Sequence, residues 1–132
     1  MSTKAHTVPY ISNYDYGVPF PAIILKIVNP KTQAAITDVF LVDSGADISS
    51  IKQEIIDELD LEYGGIMLGS TATGKDDVRF TATVRIETPW QAYEPVKVIV
   101  EPGTDENLLG RNLINKWKVT LDGPNQQMTI EV

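Results

Sequence analysis

Residues 40–47 read Phe-Leu-Val-Asp-Ser-Gly-Ala-Asp, so an apolar run leads directly into an acid, a hydroxyl and a glycine. The apolar approach predicts a buried strand, and a carboxylate at the end of such a strand is costly to desolvate unless it is compensated. Ser44 and Gly45 allow the chain to turn tightly there, with its backbone close to whatever Asp43 faces. This pattern is typical of a carboxylate presented for chemistry, but it also fits an ordinary turn in which Asp43 binds its own backbone.

The composition restricts the class of protein. A chain of 132 residues with 42% hydrophobic and 22% charged residues is expected to form one domain, residues 1–132, with a buried core. A net charge of −7, with 11 basic residues along the chain, argues against a nucleic-acid partner. The absence of cysteine excludes thiolate catalysis and thiolate zinc sites.

The sequence shows no sign of export or of a membrane span. Its first residues lack the apolar core of a signal peptide, and no apolar run approaches the ~18 residues that a membrane helix needs. We therefore expect a cytoplasmic protein with no membrane partner.

Apolar runs and alternating patterns predict a mostly β chain with one or two short helices. Ser50 and Gln53 have the spacing of a capping box, which predicts the start of a helix. Ile51, Ile55 and Leu59 then form an apolar stripe at helical spacing over about ten residues. The expected strands lie at residues 21–28, 35–42, 66–72, 78–87, 96–100, 118–121 and 127–132.

The strands at 66–72 and 78–87 are expected to form a long hairpin around a polar loop at 73–77. The paired glycines at 64–65 are expected to end the helical region before it. In the second arm, apolar and polar residues alternate, which predicts one apolar face. That face would contain Val78, Phe80, Ala82, Val84 and Ile86.

Two parts of the chain repeat a similar pattern. An apolar pair at 41–42 leads into Asp-Ser-Gly at 43–45, and the pair at 108–109 leads into Gly110. Each of these is followed by a predicted helix. The repetition indicates two related halves folded around one site.

Asp-Ser-Gly-Ala-Asp at 43–47, Leu-Leu-Gly-Arg-Asn at 108–112 and the glycine-containing hairpin between them together resemble a known family. The family is the retropepsin-like aspartic proteases, the single-domain proteases of retroviruses and their cellular relatives. The order and spacing agree over about residues 19–121, and this combination is more specific than a lone Asp-Ser-Gly. The resemblance implies a mostly β fold with a closed, barrel-like sheet, a flap hairpin and one or two short helices.

The resemblance also implies an aspartic endopeptidase in which Asp43 is the catalytic residue. Two facing carboxylates about 3 Å apart cannot both ionise, so they share a proton and can both activate water and protonate a leaving group. The chain contains one Asp-Ser-Gly, so the resemblance implies a symmetric homodimer with one Asp43 from each copy. The implied partners are a polypeptide substrate and a second copy, without a cofactor or a metal.

The same resemblance assigns roles to the residues of the turn. Ser44 would bind across the two-fold axis, and Gly45 would leave room for the substrate backbone and accept a hydrogen bond from it. Asp47 would bind the substrate main chain and pair with Arg111 in a charge-assisted bond.

Residues outside the turn would support it or contact the substrate. Leu109 and Gly110 would pack beneath the catalytic turn. Apolar pocket residues are expected from Leu25, Ile48 and Met67. The flap would close over the peptide and exclude water. Its substrate-binding residues would be Ser70, Thr71, Ala72, Thr73 and Gly74.

A second hypothesis assigns the same fold to a dimerisation or peptide-binding module with little or no catalysis. The charged loop tip at 73–77, which is less rich in glycine than the flaps of retroviral enzymes, favours this alternative. Substitution of Asp43 followed by peptide digestion separates the two hypotheses.

Overall fold

Ten strands and two short helices form the part of the chain that the structure, a computed structural model, describes: residues 4–12, 17–70 and 76–132. The strands are β1 (Ala5–Pro9), β2 (Ala22–Val28), β3 (Ala35–Val42), β4 (Ser50–Lys52), β5 (Tyr63–Ser70), β6 (Asp76–Glu87), β7 (Ala92–Glu101), β8 (Asn107–Leu109), β9 (Lys118–Asp122) and β10 (Gln127–Glu131). The helices are α1 (Gln53–Glu58) and α2 (Arg111–Ile114). No helix within these ranges is long and apolar enough to cross a membrane.

Six strands form a closed ring in the order β2-β3-β8-β4-β7-β6. The ring closes where β6 returns to β2, with Ile27 opposite Ile86. Within it β3 and β8 run parallel, and Val42 lies opposite Leu109. Closure gives every strand of the ring a neighbour on both sides over at least part of its length. This architecture confirms the mostly β chain that the sequence patterns predict and the closed, barrel-like sheet that the family resemblance implies.

The helix after β4 packs on the core but is shorter than the sequence predicts. Ile51, Ile55 and Leu59 are all buried, as their helical spacing indicates. However, α1 has six residues, and Lys52 rather than Ser50 precedes it, without a side-chain capping bond. The capping-box prediction is wrong because Ser50 and its neighbours are held in the ring as β4.

The predicted hairpin is present as β5 and β6, with β5 paired to β6 outside the ring. Ala82, Val84 and Ile86 are fully buried in the barrel, as the alternation predicts. Val78 and Phe80, nearer the tip, are 54% and 50% exposed. The apolar face is therefore covered over only half of β6, because the outer half extends beyond the barrel.

The glycines at 64–65 lie inside β5 rather than before it. The register between β5 and β6 shifts between Tyr63 and Gly65. Gly65 has a φ of 150°, which residues with a side chain rarely adopt. The glycines therefore form a bulge that bends the strand, and β5 starts at Tyr63, three residues before the predicted start at Ile66.

The two ends of the chain meet in a three-stranded sheet, β1-β10-β9, which contains the predicted C-terminal hairpin. An aromatic cluster joins this region to β7. Trp117 Nε1 donates a hydrogen bond to Tyr93 Oη (2.7 Å), and Trp90 Nε1 donates to the same oxygen (3.2 Å). His6 of β1 stacks on Trp90 with 4.6 Å between the ring centroids. In this sheet the terminal strands β1 and β10 pair with each other within one chain.

Candidate active site

Asp43 lies one residue beyond the end of β3, in a turn that leaves the barrel. Its backbone N–H donates to the carbonyl oxygen of Leu109 (3.0 Å), which continues the parallel pairing of β3 and β8 by one more bond. Its side chain is half-buried, whereas Ser44 and Gly45 are exposed. The end of a barrel strand therefore fixes where the carboxylate lies, and the turn leaves it accessible.

The turn also fixes how the carboxylate is oriented. Asp43 Oδ1 accepts a hydrogen bond from the backbone N–H of Gly45 (2.9 Å). This is the bond of an ordinary Asx-turn, so the two interpretations of residues 43–45 are compatible. A Cβ at position 45 would lie 3.1 Å from the same oxygen. Glycine therefore keeps the space next to the carboxylate open.

Leu109 and Gly110 lie directly beneath the turn. The N–H of Gly110 donates to Ser49 Oγ (2.8 Å), and Leu109 is fully buried. A Cβ on Gly110 would lie 2.6 Å from the carbonyl carbon of Ile48 and 2.7 Å from the nitrogen of Ser49. The two halves of the chain thus meet backbone to backbone here, and only a residue without a side chain fits.

Arg111 connects the start of α2 to the turn. Its guanidinium donates to the carbonyl oxygen of Ser44 (2.7 Å) and forms an ion pair with Asp47. Its backbone N–H donates to the carbonyl oxygen of Ala46 (2.9 Å). Because both charged side chains are substantially exposed, we expect the ion pair to orient the turn more than to stabilise the fold.

Ser49 and Asn112 form a hydrogen-bond network for which sequence reasoning assigned no role. Asn112 Oδ1 accepts from both the backbone N–H and the Oγ of Ser49 (2.9 Å each). Its Nδ2 donates to the carbonyl oxygen of Lys97 in β7 (2.9 Å). A serine and an asparagine 63 residues apart give no local signal of this contact, because only the closed barrel brings them together.

A second polar network joins the strands that lead to the turn. Lys52 Nζ lies 2.8 Å from Asp38 Oδ2, and Asn107 Nδ2 donates to the same oxygen (2.9 Å). Burial opposes ionisation of Asp38. However, hydrogen bonds from Lys52, from the N–H of Val39 and from Asn107 outweigh burial and hold the pKa of this carboxyl below its usual value. The network ties β3, β4 and β8 together.

A groove of about 430 Å³ adjoins the turn, a volume in the range of pockets that bind small ligands. Its walls come from the turn, from both arms of the hairpin and from β4, β7 and β8. They contain Gly45, Ala46, Asp47, Ile48, Ser50, Met67, Leu68, Arg79, Ile99, Glu101 and Leu108. Ile48 and Met67 thus lie where the sequence places them, whereas Leu25 is 1% exposed in the core and the expectation that it lines the pocket is wrong.

The hairpin contributes Met67, Leu68 and Arg79 to this groove, but its tip lies outside the described residues. Ser70 ends β5 opposite Asp76 of β6. Thr71, Ala72, Thr73 and Gly74, which were predicted to contact the substrate, are not among the described residues, so their role stays a prediction. Within residues 4–12, 17–70 and 76–132, no group of three or more His, Asp or Glu side chains is placed to hold a metal ion.

Comparison with known proteins identifies the family and agrees with the fold. The family model of the retroviral aspartyl protease matches residues 20–122. Among solved structures, a retropepsin-like aspartic protease from Rickettsia conorii is similar, with a TM-score of 0.62 and 19% identity over 99% of this chain and 94% of that one. The EIAV protease in complex with the inhibitor HBY-793 has a TM-score of 0.53 and 19% identity, over 80% and 93% of the two chains. No curated protein matched the sequence.

Proposed function

Because the chain belongs to the retroviral aspartyl protease family, we propose that it is an aspartic endopeptidase that acts as a homodimer. The observation that supports this most directly is the Asp43 carboxylate. It is half-buried at the end of a barrel strand and oriented by the N–H of Gly45, next to an open groove. Because Asp43 lies in an accessible turn beyond the strand, its carboxylate can meet the Asp43 carboxylate of a second copy without any strand unfolding.

The proposed reaction needs two Asp43 side chains, one from each copy. At a separation of about 3 Å the two carboxylates hold one proton between them. The ionised Asp43 removes a proton from a water molecule, whose oxygen attacks the peptide carbonyl, while the protonated Asp43 gives its proton to the carbonyl oxygen. The resulting diol collapses as a proton passes to the amide nitrogen, which leaves as an amine.

The exposed part of the turn suits the proposed dimer. Ser44 and Gly45 project from the barrel at the turn, so a two-fold axis there would bring the Ser44 hydroxyls of both copies together. The terminal strands β1 and β10 pair within one chain. We therefore place the centre of the proposed interface at residues 43–45 of both copies rather than at exchanged termini.

The groove and the hairpin suit an extended polypeptide substrate. In this proposal the carbonyl of Gly45 and the carboxylate of Asp47 bind the substrate main chain. The hairpin of β5 and β6 acts as a flap, with residues 70–74 closing over the peptide and excluding water. A cytoplasmic location, expected from the sequence, belongs to the same proposal.

The substitution Asp43→Asn tests the proposed function. Asparagine keeps an oxygen that can accept the Gly45 hydrogen bond but cannot supply or take up the catalytic proton. We expect wild-type protein to cleave members of a peptide library between acidic and neutral pH, in a manner blocked by a statine-type inhibitor. Asp43→Asn protein should cleave none, while circular dichroism and sedimentation show an unchanged fold and dimer.

Three outcomes would contradict the proposal. Undiminished cleavage by the Asp43→Asn variant would remove Asp43 from the mechanism. Cleavage by a strict monomer would exclude the paired carboxylates. A dimer that binds peptides without cleaving any would favour the binding-module alternative.

A further inference from the structure

Ser50 is an unusual residue in the wall of the groove. It lies in β4 between Ile99 of β7 and Leu108 of β8, and it is 4% exposed. Its Oγ is buried and has no hydrogen-bond partner in the described part of the chain. The neighbouring Ser49, by contrast, both donates to Asn112 and accepts from Gly110.

An unpaired buried hydroxyl is rare in folded proteins, in which nearly all buried polar groups have a hydrogen-bond partner. Burying it without one costs free energy that alanine at the same position would not cost. Rotation about the Cα–Cβ bond gives the hydroxyl three staggered positions, and Ser50 borders the groove. The Oγ as placed lies beneath the groove surface, so a ligand in the groove supplies the missing partner once the hydroxyl rotates to another staggered position.

The charges around the groove indicate what kind of ligand group this is. Asp47 is paired with Arg111, and Arg79 of the hairpin is paired with Glu101 of β7. A charged substrate side chain would have to compete with one of these existing pairs. The groove therefore favours a neutral side chain.

Apart from Ser50, the uncharged side chains that line the groove are apolar. Ile48, Met67 and Leu108 offer contacts to an aliphatic group, and Ser50 is the unpaired hydrogen-bonding group among them. A side chain that combines a few carbon atoms with one neutral polar group complements both parts of this surface.

We propose that Ser50 is a specificity-determining residue of this protease, an inference that rests on the proposed function. The substrate side chain that enters the groove is neutral and has a hydroxyl or amide group, as in threonine, asparagine or glutamine, which hydrogen-bonds to Ser50 Oγ. A site that hydrogen-bonds a substrate group discriminates against the analogue that lacks it, since the polar group of the site is then left unpaired.

Threonine and valine have nearly the same shape, so a pair of peptides that differ only in this residue isolates the hydrogen bond. We would measure kcat/KM for Thr and Val peptides at each position flanking a cleaved bond. For wild-type protein we expect one position at which Thr exceeds Val by about three- to tenfold. In Ser50→Ala protein the ratio of the two values at that position should fall to one or below.

The ratio is taken within one preparation, so a change in the amount of active enzyme does not affect it. Thr120→Ala, which removes an exposed hydroxyl from β9, is the matched control and should keep the wild-type ratio. Cleavage with equal rates for Thr and Val at every position would overturn the role of Ser50 but not the proposed function. A preference for Thr over Val that persists unchanged in Ser50→Ala protein would also overturn the role of Ser50 and leave the proposed function standing. Absence of cleavage of all peptides would overturn the proposed function itself.

Discussion

Replacing Gly110 with alanine would place a methyl group inside the contact between the two halves of the chain. Its Cβ would lie 2.6 Å from the carbonyl carbon of Ile48 and 2.9 Å from the carbonyl oxygen of the same residue. These neighbours are backbone atoms, so no flexible side chain can move aside. Gly110 has a φ of −93° and a ψ of −179°, which any residue adopts. The expected cost is therefore steric and not conformational.

The size of the effect follows from the distances. Moving the nearest contact from 2.6 Å to an ordinary 3.4 Å requires a displacement of about 0.8 Å in the turn or in the strand beneath it. Overpacking of this kind costs about 2–3 kcal/mol. For a chain of 132 residues that corresponds to a fall in Tm of about 7–11 °C. Because the displaced segment adjoins the turn that holds Asp43, kcat/KM for the proposed peptide cleavage should also fall, by about 100-fold.

Thermal unfolding followed by circular dichroism measures the first effect, and peptide cleavage well below the lowered Tm measures the second. Gly123→Ala is the matched control, because a Cβ at that position meets no atom within 4 Å. Its Tm should stay within about 2 °C of the wild-type value. If Gly110→Ala unfolds at the wild-type temperature, the close backbone contact does not exist and the reasoning is wrong.

The polar networks allow two more predictions. Asp38→Asn should lower the free energy of unfolding at pH 7 by about 2 kcal/mol, because it removes the nearer and less exposed of the two carboxylates that pair with Lys52. The pKa of Asp38 is lowered in the folded state, so the stability that its charge contributes is complete above the ordinary pKa of about 4 and is lost as the pH falls through the folded value. In urea unfolding between pH 7 and pH 2, the free energies of unfolding of wild-type and Asp38→Asn protein should therefore converge as the pH falls. Asn112→Ala should cost about 2 kcal/mol in urea unfolding, because it leaves the N–H and the hydroxyl of buried Ser49 without their acceptor. Asn115→Ala at an exposed position should cost less than about 0.5 kcal/mol, and equal losses in the two variants would contradict the role given to Asn112.

The elements that the sequence predicts best are those whose pattern is local. The strands at 21–28 and 35–42 correspond closely to β2 and β3, because apolar runs between turn residues define both ends. The predictions that fail depend on long-range pairing. The glycines at 64–65 were expected to end a segment, but pairing with β6 holds them inside a strand.

In the candidate site, too, local motifs were predicted well and long-range contacts were not. The two motifs at 43–47 and 108–112 identify the turn and its support, because their residue types and order are specific enough without a structure. Ser50 was expected to cap a helix, yet the parallel pairing of β4 with β7 places it in the groove wall. Leu25 was expected in that groove, yet closure of the barrel buries it in the core.

The sequence by itself thus determined the family, the mostly β architecture and the acid around which a site can form, since these depend on composition, periodicity and short motifs. Only the tertiary structure decided which side chains meet at that acid. The contact of Gly110 with the backbone at residues 48–49, the network of Ser49 and Asn112, and the unpaired hydroxyl of Ser50 all join segments far apart in the chain. Such contacts depend on closure of the barrel, which no local pattern encodes.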